Sequence, residues 1–430
     1  MPKLKLTGRK RFAGEPCKPH PSQRLFMHIL LLTDNFVPET NSPALRAFDH
    51  ARAWVRQGEE VTVITSVPNF PLGRALPPYR NRLYQTETLE GIRVVRVWTV
   101  MAANRGVFRR SLDFLSFALS GFAAGLFERP DVIVATSPQL LTGLAGQWLA
   151  TLKRKPWVFE VRDLWPDSIV SVGIMDENLF VRALRRLEYG LYRNANRIVA
   201  VSDGIRSRLI ARGVPPQKVG VAPNGIDLSR AAATKDGRGL RDELGLGKKF
   251  VVGYVGTHGM AQGLEVVLDA AGCLRGTEAH FLFVGEGARR EALIARAKAL
   301  QLDNVTFVGL VPLELAAEYI AASDAILIPL KRTDQIEITI PGKIFEAAAL
   351  GKPMIVSAVG ASTELVQRYG AGLVVPPEQP SLLAEAVLRL RDDPELRARL
   401  REGCLRLARD YDREKLAADL LQQIRSAATS

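Results

Sequence analysis

The chain has 430 residues, 47% of them hydrophobic, with 35 glycines and 25 prolines. That excludes a disordered chain and exceeds one ordinary core, so two domains are expected. The net charge of +13 is unevenly spread, residues 1–26 alone carrying +6, so a nucleic-acid role would rest on a tail and none is expected. Cys17, Cys273 and Cys404 are scattered and fit neither a metal spacing nor a disulfide framework, which suits a reducing cytosol.

Residues 1–26 have no apolar stretch and are not a signal peptide; they read as a disordered basic leader. From Met27 strands and helices alternate. Strands are predicted at 28–33, 60–66, 92–98, 131–136, 157–162, 197–202 and 219–223, with helices between most of them, such as 44–57 and 175–193. The run "LDFLSFALSGFAAGLF", 112–127, is short for a bilayer, which needs about 20 apolar residues. It reads as a buried crossover helix. Arg105, Arg109 and Arg110 before it leave open a face that rests on anionic lipid.

Residues 226–240, polar and glycine-containing, read as a linker between a domain at 27–225 and a second at 241–410. Strands are predicted at 250–256, 280–287, 304–309, 325–330, 353–358 and 372–376, and charged, leucine-rich helices close the chain. Residues 411–430 form a last helix that could cross back to the first domain. The class is α/β: two doubly wound Rossmann-like units facing across a cleft, with ligands at the carboxyl ends of the strands.

The motifs narrow what the cleft holds. There is no Walker motif and no dinucleotide fingerprint after the first strand. The stretch "GEGARR", ending in two arginines and containing Gly287, has too few glycines to be specific. No His/Cys cluster or Asp-x-Asp pair suggests a metal, and no cofactor is expected. The most informative stretch is "PGKIFEAAALGKP", 341–353. Pro341 suits a first helical position and Gly351 a C′ residue, so a short buried helix is predicted. Its start would offer the N–H groups of Gly342, Lys343 and Ile344 and the Lys343 charge to an anion. Glu346 lies about 6 Å further along, at about 1.5 Å per residue, near where the ribose of a diphosphate ligand would fall. A Lys343–Glu346 ion pair is the plain alternative.

These residues resemble a family. "KIFEAAALGKPMIVS", "VTVIT", "AVSDGIRSRL", "VAPNGID", "FVGEG", "FVGLVP" and "AASDAILIP" stand in the order found in retaining glycosyltransferases of the GT-B fold, family four. "EVRDLWPDS", 160–168, is similar to the WbuB-like branch, which serves O-antigen and other surface polysaccharides. The resemblance implies that Glu346 holds the donor ribose and that Gly342, Lys343 and Ile344 meet the diphosphate. Val311 would read the base through its main chain. Gly256, Thr257, His258 and Gly287 would lie beside the phosphates. Thr40, Asn41 and Ser42 would form the loop under the donor. Arg162 and Asp163 stand where many members carry His-Asp, and with Lys343 they are the implied catalytic residues. Asp163 as a turn cap, Arg162 as a structural residue, His258 as a solvated loop residue and Trp165 as packing are the competing readings.

Two departures bear on the donor. Eight residues before Glu346, where the family has a second glutamate, stands Ile338, with Glu337 one residue off. The phosphate-clamp Arg and Lys fall at Thr257 and Gln262, so Lys343 with Lys331 or Arg332 would supply the charge. The implied activity is a metal-independent, retaining transfer of a hexosyl or N-acetylhexosaminyl group from a UDP-linked sugar. The acceptor would be a saccharide, lipid-linked at the cytoplasmic face of the plasma membrane. The alternatives are an inactive nucleotide-sugar-binding subunit and a nucleotide-sugar epimerase.

Overall fold

The computed structural model describes residues 26–429 except residue 71 and residues 103–106 and 172–174. The leader up to residue 25, and Arg105, lie outside the described residues. Long apolar runs form two sheets, each buried on both faces. The first contains β1 (His28–Leu32), β2 (Glu60–Ser66), β3 (Tyr84–Leu89), β4 (Ile92–Val97), β5 (Val132–Thr136), β6 (Trp157–Val161), β7 (Arg197–Ala200) and β8 (Val219–Val221). Its order is β3-β4-β2-β1-β5-β6-β7-β8. All neighbours are parallel except β3, which pairs antiparallel with β4 at the edge. The sequence reading missed β3: in "YQTETL" no side chain is buried, and an edge strand needs no apolar run.

The second sheet contains β9 (Phe250–Val255), β10 (Ala279–Val284), β11 (Val305–Val308), β12 (Ala325–Pro329), β13 (Met354–Ser357) and β14 (Gly372–Val375). Its order is β11-β10-β9-β12-β13-β14, parallel throughout. Each sheet has one place where the strand order reverses, between β1 and β5 and between β9 and β12. Ligand crevices open at the carboxyl ends of strands at such points.

Helix α1 (Ser42–Arg56) begins where the Asn41 Oδ1 accepts the N–H of Ala44 at 2.9 Å, with Pro43 in the first turn. Its buried Arg46 donates to Glu160 at 2.8 Å and to the carbonyls of Ala222 (2.8 Å) and Pro223 (2.7 Å), tying α1 to β6 and to the end of β8. Helices α2 (Val107–Gly125) and α3 (Leu140–Lys153) pack side by side, and a Cβ on Gly125 would lie 2.4 Å from Leu149.

The segment read as a linker is not irregular. Leu228–Ala232 and Arg238–Glu243 are helices, the first capped by Asp227, whose carboxylate accepts from Ser229 N at 3.0 Å. The closing helix Arg413–Thr429 lies on the first domain: Trp54 Nε1 donates to the Ala417 carbonyl (3.0 Å) and Gln423 to that of Val221 (3.0 Å). The chain therefore crosses between domains twice, side by side: Ile226 N donates to Tyr411 O at 3.1 Å and Arg413 N to Ile226 O at 2.9 Å.

Candidate active site

The loops that follow β9, β10 and β12 meet at the reversal point of the second sheet. Gly285 has φ +131°, and a Cβ there would stand 2.2 Å from the Gly256 carbonyl oxygen. One on Gly287 would stand 2.4 Å from that of His258. Glycine is required at both because two loop backbones touch. One on Gly256 would lie 3.0 Å from the Lys343 Nζ, which puts this amine directly above the β9 loop.

Lys343 opens the helix Lys343–Ala349, which begins two residues later than the sequence suggested, with Gly342 rather than Pro341 at its boundary. Ile344, Phe345, Ala347 and Ala348 are buried, and Phe345 packs on Tyr411 with ring centres 5.0 Å apart. That burial fixes where Lys343 and Glu346 emerge. The Lys343 Nζ sits 4.0 Å from the centre of the Tyr254 ring. No ion pair joins it to Glu346 among the described residues, so the plain alternative fails. Burial lowers the Lys343 amine to about 8, against the pull of Glu346. Burial also raises the Glu346 carboxyl, opposed by Lys343, Arg413 and Arg230. Glu346, Arg230 and Arg413 line a cavity of about 170 Å³ with Leu45 of α1 and Leu313 and Ala317 beyond β11. Val311 lies just before this wall, half-buried. A carboxylate among cations at the mouth of an apolar cavity can bind a hydroxyl-rich ring with a flat apolar group beside it.

Other expected residues divide. Gly342 faces the opposite domain: a Cβ on it would stand 3.7 Å from the Ser42 Oγ. Asn41 is the cap of α1, and Thr40 is exposed. Thr257 is exposed and its carbonyl accepts from the Tyr254 hydroxyl at 2.6 Å. Two expectations are corrected. The His258 ring is 0% exposed, packed against Tyr254, Phe283 and Phe307, so it cannot touch a phosphate in the cleft. Burial, with Arg290 and Lys343 nearby, lowers it to about 4, and it is a neutral core residue. The Ile344 side chain is buried and its N–H donates to the Pro341 carbonyl at 3.2 Å, which removes it from the diphosphate set.

The departures also acquire places. Ile338 packs on the first domain: the Ser202 hydroxyl donates to its carbonyl at 2.6 Å, and a Cβ on Gly204 would lie 2.7 Å from the Ile338 Cβ. Eight residues before Glu346, this chain therefore makes an interdomain contact. Glu337 instead pairs with Arg332 at 3.6 Å. Lys331 lines a cavity of about 280 Å³ with Gln262 and Arg289.

Arg162 and Asp163 follow β6 in the first domain, the Arg162 N–H donating to the Ser137 hydroxyl at 2.7 Å. The Arg162 Nε has no partner among the described residues. Burial pulls its guanidinium down to about 10 against the attraction of Glu160. Burial raises Asp163 to about 6, with Arg162 opposing. Trp165 lines a separate cavity beside α2.

Comparison with known proteins agrees with this architecture. Residues 43–225 match the model described as glycosyl transferase 4-like domain, and 249–393 the model described as glycosyl transferases group 1. The D-rhamnosyltransferase WbpZ of Pseudomonas aeruginosa is 31% identical over 300 residues, 67% of this chain and 73% of that protein. The putative colanic acid biosynthesis glycosyl transferase WcaI of Escherichia coli is 26% identical over 413 residues, 93% of this chain and all (100%) of that protein. The structure of HepE from Anabaena in complex with UDP superposes with a TM-score of 0.68 at 19% identity, covering 93% of this chain and 100% of that one. Sucrose-phosphate synthase from Thermosynechococcus elongatus gives 0.77 at 21% identity, with 94% and 100% covered. The chain belongs to the group 1 glycosyl transferases and has the GT-B fold.

Proposed function

We propose that the protein transfers a hexosyl or N-acetylhexosaminyl group from a UDP-linked sugar to a saccharide acceptor in surface polysaccharide synthesis, with retention and without a metal. The observation that carries this is the placement of Lys343 over Gly256 with Glu346 one turn on, beside a cavity. Lys343 and Lys331 stabilise the charge that develops on the departing diphosphate. The bond from the anomeric carbon to the leaving oxygen breaks, the acceptor oxygen bonds that carbon on the same face, and its proton passes to the diphosphate. No protein nucleophile is needed. The Escherichia coli relative is named for colanic acid biosynthesis, WbpZ is named a D-rhamnosyltransferase, and HepE was solved with UDP, which supports the donor and pathway class. The resemblance of "EVRDLWPDS" to the WbuB-like branch supports the same class.

The acceptor is lipid-linked in this reading. Helix α2 turns Leu112, Leu115 and Leu119 outward, next to the exposed Trp148 and Leu152 of α3, with Arg109 and Arg110 exposed at its start. Apolar side chains rimmed by arginine suit a peripheral site on anionic lipid. Among the described residues no helix is long and apolar enough to cross a membrane.

A thermal-shift screen of nucleotide sugars followed by product analysis tests the whole. Stabilisation by a UDP-sugar and a product with the donor's anomeric configuration support it. Binding without turnover would favour a nucleotide-sugar-binding subunit, for which the loss of a glutamate at Ile338 speaks. Inverted product would refute retention.

A further inference from the structure

The buried Lys343 amine forms no ion pair among the described residues, and what it rests on instead is a ring. Its Nζ stands 4.0 Å from the ring centre of Tyr254, the last residue but one of β9. Tyr254 is 1% exposed, and its hydroxyl donates to the Thr257 carbonyl at 2.6 Å. The ring lies 5.7 Å from that of His258 and 6.2 Å from that of Phe283. Held at its tip and packed at its sides, it keeps one face towards the amine. A Cβ on Gly256 would lie 3.0 Å from the Nζ and 3.9 Å from the Tyr254 hydroxyl, so ring, amine and glycine meet at one point.

A buried ammonium group needs a partner, and two kinds would serve. A carboxylate would hold it, but would repel an incoming diphosphate and have to give up the amine when one bound. The face of an aromatic ring carries negative potential without net charge, so it stabilises the cation and leaves that charge to attract an anion from the other side. The phenol stays neutral, because burial raises it well above its ordinary value. The other titratable groups around the amine do not replace the ring. Glu346, on the same helix, attracts the amine without pairing with it. His258, on the loop after β9, is held neutral at about 4 by burial, Arg290 and Lys343. Arg290 itself is engaged by Glu286 at 3.3 Å.

We propose that Tyr254 is the positioning residue of the donor site: its ring face stands in for a counter-ion and keeps the Lys343 amine charged and held over Gly256 before a nucleotide arrives. Neutral Thr257 and Gln262 occupy the places where the family resemblance calls for cations, so more of the diphosphate's neutralisation falls on this one amine. An amine already charged and already in place loses little on binding, which is where preorganisation gains affinity. The use of the amine rests on the donor reading of Lys343, but the hold of the ring on it is measurable without any nucleotide.

The full-length protein, isotopically labelled on lysine, is titrated by NMR without ligand, the Lys343 signal being assigned by its loss in Lys343→Met. Tyr254 is replaced in turn by phenylalanine, by phenylalanine bearing one, two or three ring fluorines, and by leucine. Fluorine draws charge from the ring face and changes the ring's shape little. Tyr254→Phe keeps the face and should leave the Lys343 midpoint where it is. Each added fluorine should lower the midpoint, and Tyr254→Leu should bring it to about 7. UDP binding by calorimetry at pH 7 should then take up about 0.5 proton in Tyr254→Leu against about 0.1 in the unaltered protein, with affinity at least about fivefold weaker. The fluorinated series covers a folding failure of Tyr254→Leu. A midpoint that ignores the fluorines would overturn the proposal. So would a Tyr254→Phe variant as impaired as Tyr254→Leu, since the hydroxyl contact to Thr257 would then be the cause. A midpoint that follows the fluorines in a protein that does not bind UDP would contradict the donor reading alone.

Discussion

Lys343 should make nucleotide binding take up a proton. In the ligand-free protein its amine is held near 8 by burial, below the ordinary value of 10.5. At pH 7 about nine-tenths of the molecules carry the charge, and at pH 9 about one-tenth. A bound diphosphate a few ångströms away favours the charged form and should return the group to at least about 10. That hundredfold gain in proton affinity corresponds to about 2.7 kcal/mol of coupling between proton and nucleotide. Hence the dissociation constant for UDP should be nearly flat below pH 7 and rise about tenfold between pH 7 and 9. Proton uptake should grow from about 0.1 per site at pH 7 to about 0.8–0.9 at pH 9.

The assay is calorimetry with UDP in buffers of different ionisation enthalpy, since the slope against that enthalpy is the proton number. The terminal phosphate of UDP, with its second pKa near 6, is largely ionised throughout this range. Lys343→Met should weaken UDP about a hundredfold at pH 7 and abolish the pH dependence. The ligand-free protein behaves in the opposite sense. Its unfolded chain binds more protons than the native state between about pH 8 and 10.5, so this group adds stability as pH rises through that window. A pH-independent affinity between 7 and 9, or the same slope in Lys343→Met, would refute the placement of Lys343 at the diphosphate.

Other expectations are simpler. Glu346→Ala removes a charged acceptor worth about 1.5–3 kcal/mol, so UDP affinity measured by calorimetry should fall roughly ten- to hundredfold in a folded protein. Gly285→Ala would drive a methyl group to 2.2 Å from the Gly256 oxygen at φ +131°, and thermal unfolding should show a loss of at least about 2 kcal/mol. Chelation with EDTA should leave transfer unchanged in a radiolabel assay, and activity restored only by magnesium or manganese would contradict metal independence. Arg109→Glu with Arg110→Glu should weaken co-sedimentation of the protein lacking residues 1–26 with anionic vesicles at low salt, each arginine contributing about 1 kcal/mol.

The central strands were legible because a sheet covered on both faces demands unbroken apolar runs, and "HILLL" or "AHFLFV" are hard to read otherwise. The edge strand β3 was not, because nothing in it must be buried. The helices at 228–232 and 238–243 were hidden for a related reason: each is too short to show an apolar period, and is held by a cap or a turn glycine. In the site, Lys343, Glu346 and Gly256 belong to local motifs whose spacing sets their geometry. His258 occupies a motif position too, but an imidazole that follows a strand can turn inward as well as outward, and only the Phe283 and Phe307 rings decide.

The double crossing at Ile226 and Tyr411–Arg413 explains why the closing helix belongs to the first domain and what that does for the donor site. Asp49 of α1, 3% exposed, accepts from Arg413 and, at 3.1 Å, from Arg230. Arg52 stands 3.4 Å from it as well, and a carboxylate buried among three guanidinium groups is costly to displace from them, because its charge would lie in a poor solvent for ions. Arg230 and Arg413 also line the cavity of Glu346 and lower the energy of its charged form. The cations that anchor the second domain to α1 are thus the ones that tune the Glu346 carboxylate. Ser202 and Ile338 make another interdomain contact, through a main-chain carbonyl. In the proposed reading Glu346 binds the donor, so a substitution at Asp49 is expected to change nucleotide affinity, measured by calorimetry, without touching the nucleotide.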